Sequence, residues 1–260
     1  MKFTFLGSGT SQGIPIIGCT CKVCTSDDKK DKRLRSSLLV QSKNTTVNID
    51  AGPDFRYQML RAGVMKMDAI IITHEHMDHT AGLDEVRAFN FILNKPMEIY
   101  ATERVQKRLR EQYSYIFQNG DYPGVPQVVL KTIDMKTPFT IGDIKFIPIK
   151  VMHGQLPVLG FRMGDFTYVT DANYIGETEK NLIKGSKHFV VNALRKKNHH
   201  SHFTLDEAIE LTKELGVENA YFTHISHQLG LHAEVSKDLP KGMQLAWDEL
   251  IIESGVGSKE

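Results

Sequence analysis

The sequence predicts an α plus β fold in a single domain, and three observations carry that prediction. Short β-rich runs recur along the chain, helical patterns separate many of them, and tight-turn signals join others into hairpins. Its 260 residues are 41% hydrophobic, which is ample for a packed core. In chain order, Lys2 to Leu6, Ser37 to Gln41, Thr45 to Asp50 and Ala69 to Thr73 are β-rich runs of strand length. Thr102 to Phe117 is expected to form one helix. Ile141-Gly142-Asp143-Ile144 reads as a hairpin turn between β-rich arms. Thr204-Leu205-Asp206-Glu207 has the spacing of a capping box, and Ala208, Ile209, Leu211, Thr212 and Leu215 mark an apolar helical face that ends at Gly216. The tail from Glu253 to Glu260 is expected to fray. No stretch approaches the ~20 apolar residues of a membrane span, and no repeat or low-complexity segment marks a linker.

A formal charge of +1 gives no overall attraction toward polymeric nucleic acid. The local basic runs Lys29-Lys30-Asp31-Lys32-Arg33 and Arg195-Lys196-Lys197 read as solvated faces, and the second lies close enough to candidate chemistry to attract a small anion. With no hydrophobic run after Met1-Lys2, the expected location is the cytoplasm.

His74-Glu75-His76-Met77-Asp78-His79 places four potential metal ligands within six residues, directly after the apolar segment Asp68 to Thr73. Three imidazoles and a carboxylate suit Zn, Mn or Fe, and gathered in a partly buried pocket they would be costly without a cation among them. In an extended strand end His74 and His76 point the same way, while Asp78 and His79 sit where the chain turns toward a helix, so one cluster can serve two ions.

All three cysteines fall in Cys19-Thr20-Cys21-Lys22-Val23-Cys24. An odd, tightly spaced count is a poor disulfide framework, and in a reducing compartment such clusters hold zinc. Three thiolates leave tetrahedral zinc one ligand short, and His227, three residues beyond His224, is the expected fourth; the alternative is three unpaired surface thiols. A closed Cys3His site would be structural, inserted as a loop at about residues 18–35 of a domain spanning 1–260.

The H-x-H-x-D-H motif resembles the signature of the metallo-β-lactamase superfamily, whose fold is an αββα sandwich with a metal site at one edge of the sheets. That resemblance implies further ligands at His153, after Phe146 to Met152; at Asp171, after Phe166 to Thr170; and at His224, after Ala220 to Thr223. It assigns His74, His76 and His153 to one metal, Asp78, His79 and His224 to a second, and Asp171 to both. Asp171 could instead be a turn residue. Asp50 resembles the aspartate that orients ligands from behind, and a strand-ending turn would look the same.

With the opening Phe3 to Pro15 and the cysteine cluster, the chain is similar to the PhnP-type cyclic phosphate phosphodiesterases over nearly its whole length; the pyrroloquinoline quinone synthesis B proteins are similar at this level. Gly7, Gly9 and Gly13 in the opening read as aids to a tight turn. The resemblance implies hydrolysis of a ribosyl 1,2-cyclic phosphate or a 2′,3′-cyclic nucleotide by a hydroxide held between two divalent metals, Mn or Zn, with a third, structural Zn on the cysteines. His202 and Asp78 are the catalytic residues it implies. His202, one of three histidines in Asn198-His199-His200-Ser201-His202, would protonate the leaving alkoxide; its alternative role is a backbone contact before the capped helix. The expected partner is a small phosphodiester, with no membrane and no polymeric nucleic acid, and the family suggests a homodimer. Competing readings are a hydrolase of carboxyl esters, thioesters or lactams, and a non-catalytic cofactor-handling protein. A di-iron redox protein would carry glutamate where His76 stands, and tRNA maturation would call for a long basic, glycine-rich insertion.

Overall fold

The computed structural model describes residues 1–118 and 124–255. Its first sheet takes β1 (Lys2–Gly7), β2 (Ser37–Gln41), β3 (Thr46–Ile49), β4 (Ala69–Ile71), β5 (Met97–Ala101) and β6 (Val128–Thr132). The second takes β7 (Phe139–Ile141), β8 (Ile144–His153), β9 (Leu156–Met163), β10 (Phe166–Tyr168), β11 (Tyr174–Ile175), β12 (His188–Asn192), β13 (Asn219–Thr223) and β14 (Met243–Leu245). The chain then returns as β15 (Ile251–Glu253) beside β1. The strand orders are β15-β1-β2-β3-β4-β5-β6 and β11-β8-β9-β10-β12-β13-β14, with β7 paired to β8.

Period-two alternation explains the layering. In β2, Leu38 and Val40 enter the core between the sheets while Leu39 faces the opposite way, and in β4 Ala69 and Ile71 face in while Ile70 faces out. Phe146, Phe161, Phe166 and Tyr168 of the second sheet fill the same central layer, and Phe3 stacks on Phe166 with ring centroids 3.8 Å apart. Outside the first sheet lie α1 (Phe55–Arg61), the single turn α2 (Met77–Thr80), α3 (Arg87–Leu93), α4 (Glu103–Gln112) and α5 (Ser114–Phe117). Outside the second lie α6 (Glu177–Ile183) and α7 (Leu205–Leu215), while α8 (His232–Val235) follows near the cysteine loop. The result is a helix–sheet–sheet–helix sandwich, as expected.

Several local readings change. The helix expected over 102–117 breaks at Tyr113, whose backbone leaves helical geometry (φ −114°, ψ 44°) and whose hydroxyl donates to the Thr80 carbonyl at 2.7 Å. Only Gly13 of the opening glycines has positive φ; a Cβ on Gly7 would overlap the Arg35 carbonyl, so close approach rather than turning requires glycine there. Glu253 belongs to β15 instead of fraying, and residues 256–260 of that tail lie outside the described residues. Among the described residues no helix is long and apolar enough to cross a membrane.

The basic run 29–33 is not wholly solvated either. Arg33 is 3% exposed and donates to Ser8 Oγ, the Ala246 carbonyl and His232 Nδ1, seating the cysteine loop on the C-terminal segment. Asp31 accepts from the His232 amide, and Asp248 accepts from the Ser8 and Leu34 amides and from Arg61. A buried guanidinium needs these acceptors because unpaired it would be costly.

The capping box at Thr204 is present with both reciprocal hydrogen bonds. Thr204→Ala should therefore cost about 1 kcal/mol in chemical denaturation. His232 offers a pH test. Burial and then Arg33 hold its pKa down to about 4, below the ordinary 6.5. Between those values the unfolded chain binds the proton more readily, so this contribution to stability is lost as pH falls from about 6.5 to about 4. His232→Gln keeps an acceptor for Arg33 and removes the titration. Its melting temperature should drop less than that of the wild type between about pH 7 and pH 5.

Candidate metal centres

Parallel pairing aims several strand ends at one edge. β3 runs parallel to β4, and β10 runs parallel to β12 and β13. The first sheet meets the second there through the Leu159 amide, which donates to the Thr73 carbonyl at 3.2 Å. Asp50, His74 to His79, His153, Asp171 and His224 occupy or follow the ends of β3, β4, β8, β10 and β13. Three of them, Asp50, Asp171 and His224, hold left-handed backbone at φ 65°, 55° and 54°. This geometry costs a residue with a side chain about 1–3 kcal/mol, and here it accompanies side chains directed into one cluster. Asp171 is thus both a turn residue and a member of the cluster.

His74, His76 and His153 bring one ligand atom each within 4.8 Å of one another, as do Asp78, His79, Asp171 and His224. Asp171 faces both ways, for it also groups with His153 and His202. His74, His79, Asp171 and His224 are almost fully buried, whereas His76 is exposed at the mouth.

Hydrogen bonds behind the rings decide which nitrogens face inward. Asp50 Oδ2 lies 2.7 Å from His79 Nδ1, while its carboxylate accepts the Thr73 amide and hydroxyl. Thr73 has spent its proton on Asp50, so its oxygen accepts from His74 Nδ1 at 3.0 Å. Ser36 likewise donates to the Gly9 carbonyl and accepts from His224 Nδ1 at 3.1 Å. His153 Nδ1 donates to the Ser201 carbonyl at 2.8 Å. Each assigned tautomer leaves a lone pair on Nε2.

Those lone pairs face like charge. His79 Nε2, buried without a hydrogen bond, lies 3.2 Å from Asp78 Oδ2 and 3.3 Å from Asp171 Oδ2. His224 Nε2 lies 3.2 Å from Asp171 Oδ1, and His74 Nε2 lies 3.0 Å from His76 Nδ1. Lone pairs aimed at carboxylates repel unless cations stand between them, so the donor set fits divalent metal ions. Without them a proton must serve. Burial opposes charge on His79, yet Asp78, Asp171 and Asp50 hold its pKa well above the ordinary value. Burial would raise Asp78 and Asp171 too, but His79 for the first, and His224 with His79 for the second, hold both well below the carboxylate range. Burial pushes His74, His76 and His224 down, keeping them neutral as ligands must be.

His202 is 8% exposed, with its ring 4.5 Å from that of His153 and 4.9 Å from that of His224. Its unpartnered Nδ1 lies 3.9 Å from Asp171 Oδ1, so it stands at the cluster rather than merely before the helix cap. Burial and His224 push its pKa down to about 2. His200 is exposed, its carbonyl accepts from Asn173, and its ring lies 4.5 Å from that of His199.

The cysteine prediction also meets its partner. His227 Nδ1 lies 3.4, 3.3 and 3.6 Å from the sulfurs of Cys19, Cys21 and Cys24. Around tetrahedral zinc, bonds of about 2.3 Å to sulfur and 2.0 Å to nitrogen put the N···S edges at about 3.5 Å, so this spacing suits zinc without rearrangement. The Cys24 amide draws the Cys21 thiol down to about 6, while burial pushes Cys24 up to about 11. The thiols are not surface groups left unpaired.

Sequence reasoning missed Thr73, Ser36, Thr10 and the Ser201 carbonyl. Thr10 Oγ1 lies 3.0 Å from His224 Nε2, and Thr170 donates to Asp171 at 2.6 Å. Short polar residues at strand ends have no spacing signature of their own; their position in the ligand-bearing runs was the only available signal.

A cavity of about 770 Å³ opens at His76 and Met77 and is lined by Glu75, Arg104, Lys107, Arg108, Glu111 and Gln112. Arg104 pairs with Glu75 at 2.7 Å and Arg108 with Glu111 at 3.0 Å, leaving Lys107 as the cation without an ion pair among the described residues.

Comparison with known proteins agrees with this architecture. The family described as the beta-lactamase superfamily domain matches residues 45–225. A crystal structure of a diphosphatase from the PhnP family is 40% identical, covers 98% of both chains and superposes with a TM-score of 0.91. Zinc-bound PqqB from Methylobacterium extorquens shares the fold at 18% identity, with a TM-score of 0.79 over 98% of this chain and 100% of that one. An octanoyltransferase of Porphyromonas gingivalis is 37% identical over 100% of this chain but 54% of its own length, so the chain spans about half of that relative. From the matched domain, the shared fold and the 40% identical structure, the chain belongs to the metallo-β-lactamase superfamily and, within it, to the PhnP type.

Proposed function

We propose that this protein is a dinuclear metal-dependent phosphodiesterase acting on a small cyclic phosphate, a ribosyl 1,2-cyclic phosphate or a 2′,3′-cyclic nucleotide. The observation that carries the proposal is the pair of adjoining ligand groups, His74/His76/His153 and Asp78/His79/Asp171/His224, with Asp171 also within reach of His153 from the first group, beside a cavity with three basic side chains. Likeness to a PhnP-family diphosphatase supports phosphorus as the centre attacked. Divalent cations held by His74, His76, His153, Asp78, His79, His224 and Asp171 would supply an acidified water and neutralise charge on the phosphoryl oxygens.

The chain's own residues then divide the remaining work. Asp50 fixes the rings of His79 and, through Thr73, of His74. With Arg104 and Arg108 paired to Glu75 and Glu111, Lys107 gives the cavity one uncompensated positive charge for an anionic substrate. His202 is neutral while buried without an anion, and a phosphodiester docked beside it favours its protonated form. It can then donate that proton to the leaving alkoxide. A second reading, hydrolysis of a carboxyl ester or thioester, draws on the 37% identical octanoyltransferase. Assaying cyclic phosphates, linear diesters and thioesters on Mn- and Zn-loaded protein separates the two: thioester turnover without diester turnover would replace the first reading with the second.

Elemental analysis of the purified protein should find about three metals per chain, two in the His/Asp cluster and one on the cysteines. A value near one would mean that the cluster is not dinuclear. His202→Ala should keep these metals and lower turnover about 10²-fold on diesters with an alkoxide leaving group. On nitrophenyl diesters the loss should be much smaller, because nitrophenolate leaves without a proton; equal losses on both would remove the acid role. Cys21→Ser should lower the melting temperature while the specific activity of the folded fraction stays within about tenfold of wild type, since a closed site contributes folding energy and no open coordination position.

A further inference from the structure

The segment 197–203 carries His202, yet its backbone is held mainly from outside. The Ser201 carbonyl accepts from His153 and the His200 carbonyl accepts from Asn173. At the segment's start a single side chain does the holding. Arg195 donates from Nε to the Lys197 carbonyl at 3.1 Å and from Nη2 to the Asn198 carbonyl at 2.8 Å. Its remaining nitrogen, Nη1, donates to Gln228 Oε1 at 2.8 Å. Arg195 is half-buried rather than part of a solvated basic face, and all its acceptors are neutral. A planar guanidinium with three acceptors in fixed directions sets geometry more than charge.

Gln228 directly follows His227, whose ring sits among the three cysteine sulfurs. The Gln228 amide is turned by Ser226 Oγ at 3.0 Å, and the Ser226 amide donates to the Leu194 carbonyl at 3.0 Å. The cysteine site, the segment after His224 and the start of the His202 segment therefore meet at one guanidinium, while a backbone path from the Ser226 amide to the Leu194 carbonyl and from the Leu194 amide to the Phe203 carbonyl holds the segment's other end.

We propose that Arg195 is a positioning residue, which with Gln228 ties the His202 segment to the Cys19/Cys21/Cys24/His227 site and so sets the placement of His202. The cysteine site then does more than stabilise the fold: its integrity reaches the proton donor through the His227–Gln228–Arg195 connection. The part concerning turnover rests on the phosphodiesterase reading above; the structural part does not.

The test uses the full-length, metal-loaded protein with Arg195→Ala, Arg195→Lys and Gln228→Ala. Hydrogen–deuterium exchange followed by mass spectrometry should speed up in 197–203 in Arg195→Ala and Gln228→Ala, with β8 and β13 unchanged. Lysine cannot reproduce the three-way fork, so Arg195→Lys should exchange as Arg195→Ala does. On 2′,3′-cyclic AMP, Arg195→Ala should lose about tenfold in kcat, with bis(4-nitrophenyl) phosphate turnover within about twofold of wild type. Added to His202→Ala it should cause no further loss on the cyclic nucleotide, as expected for two residues acting through one step. Cys21→Ser should speed exchange in 197–203 in the wild-type background and add little once Arg195 is alanine. Unchanged exchange of 197–203 in Arg195→Ala overturns the proposal whatever the rates, as does an equal rate loss on both diesters. Absence of turnover on either diester in the wild type would instead overturn the phosphodiesterase reading, leaving the exchange measurement to decide the coupling.

Discussion

The buried carboxylate of Asp50 is the constraint on which the candidate metal centre depends. It fixes the proton on His79 Nδ1 and, by taking the Thr73 hydroxyl proton, makes that oxygen an acceptor for His74. One group behind the cluster thereby turns the lone pairs of two separate rings toward the same space. Burial keeps the Asp50 carboxyl above its ordinary range, although His79 and the Thr73 donors draw it part of the way down. Its left-handed backbone at the end of β3 lets the side chain reach across to the residues after β4. The outward-facing partners on Asp50, Ser36 and Ser201 all serve this same end, since a metal ligand of the wrong tautomer offers a proton where a lone pair is needed.

The sandwich supplies the convergence that no single strand could. Its central layer of Phe3, Phe146, Phe161, Phe166 and Tyr168 locks the two sheets face to face, and the strand ends meet at one edge as a consequence. Strain at Asp171 and His224 is tolerated there because β10 and β13 enter the site already fixed by parallel neighbours. The cysteine loop lies outside this layering. It is seated by Arg33, Asp31 and Asp248 on the C-terminal segment and is tied to the edge that carries the His/Asp cluster through the short run between His224 and Gln228.

Electrostatics separates the two candidate metal-ligand sets in kind. The His/Asp cluster has an exposed member at its mouth, His76, and beyond it a cavity whose cation without an ion pair among the described residues is Lys107. The Cys/His group is compact, with its four ligand atoms turned on one another and Cys24 buried. An open set beside a cavity suits chemistry on a bound anion; a closed set suits structure.

By itself the sequence determined the grouping of chemistry. His74, His76, Asp78 and His79 are close in the chain and follow an apolar run, so their convergence needed only a strand end and a turn. The three cysteines were equally legible for the same reason. The period-two runs and the capping box at Thr204 gave the layers and α7, because local periodicity reports which face is buried. The resemblance then pointed to His153, Asp171, His202 and His224, the position of His227 three residues beyond His224 marked it as the fourth partner of the cysteines, and the structure brings all of them to one or other cluster. Tertiary structure alone decided which nitrogens face inward, because Asp50, reaching His79 directly and His74 through Thr73, together with Ser36 and the Ser201 carbonyl, acts across long sequence separations without a spacing of its own. It also decided that the helix breaks at Tyr113, where a hydroxyl reaching Thr80 outweighs continuous helical propensity, and that Arg33 and Arg195 turn inward. Whether a basic residue is solvated or holds two segments together depends on the carbonyls the fold places within its reach, and those come from parts of the chain that only packing brings near.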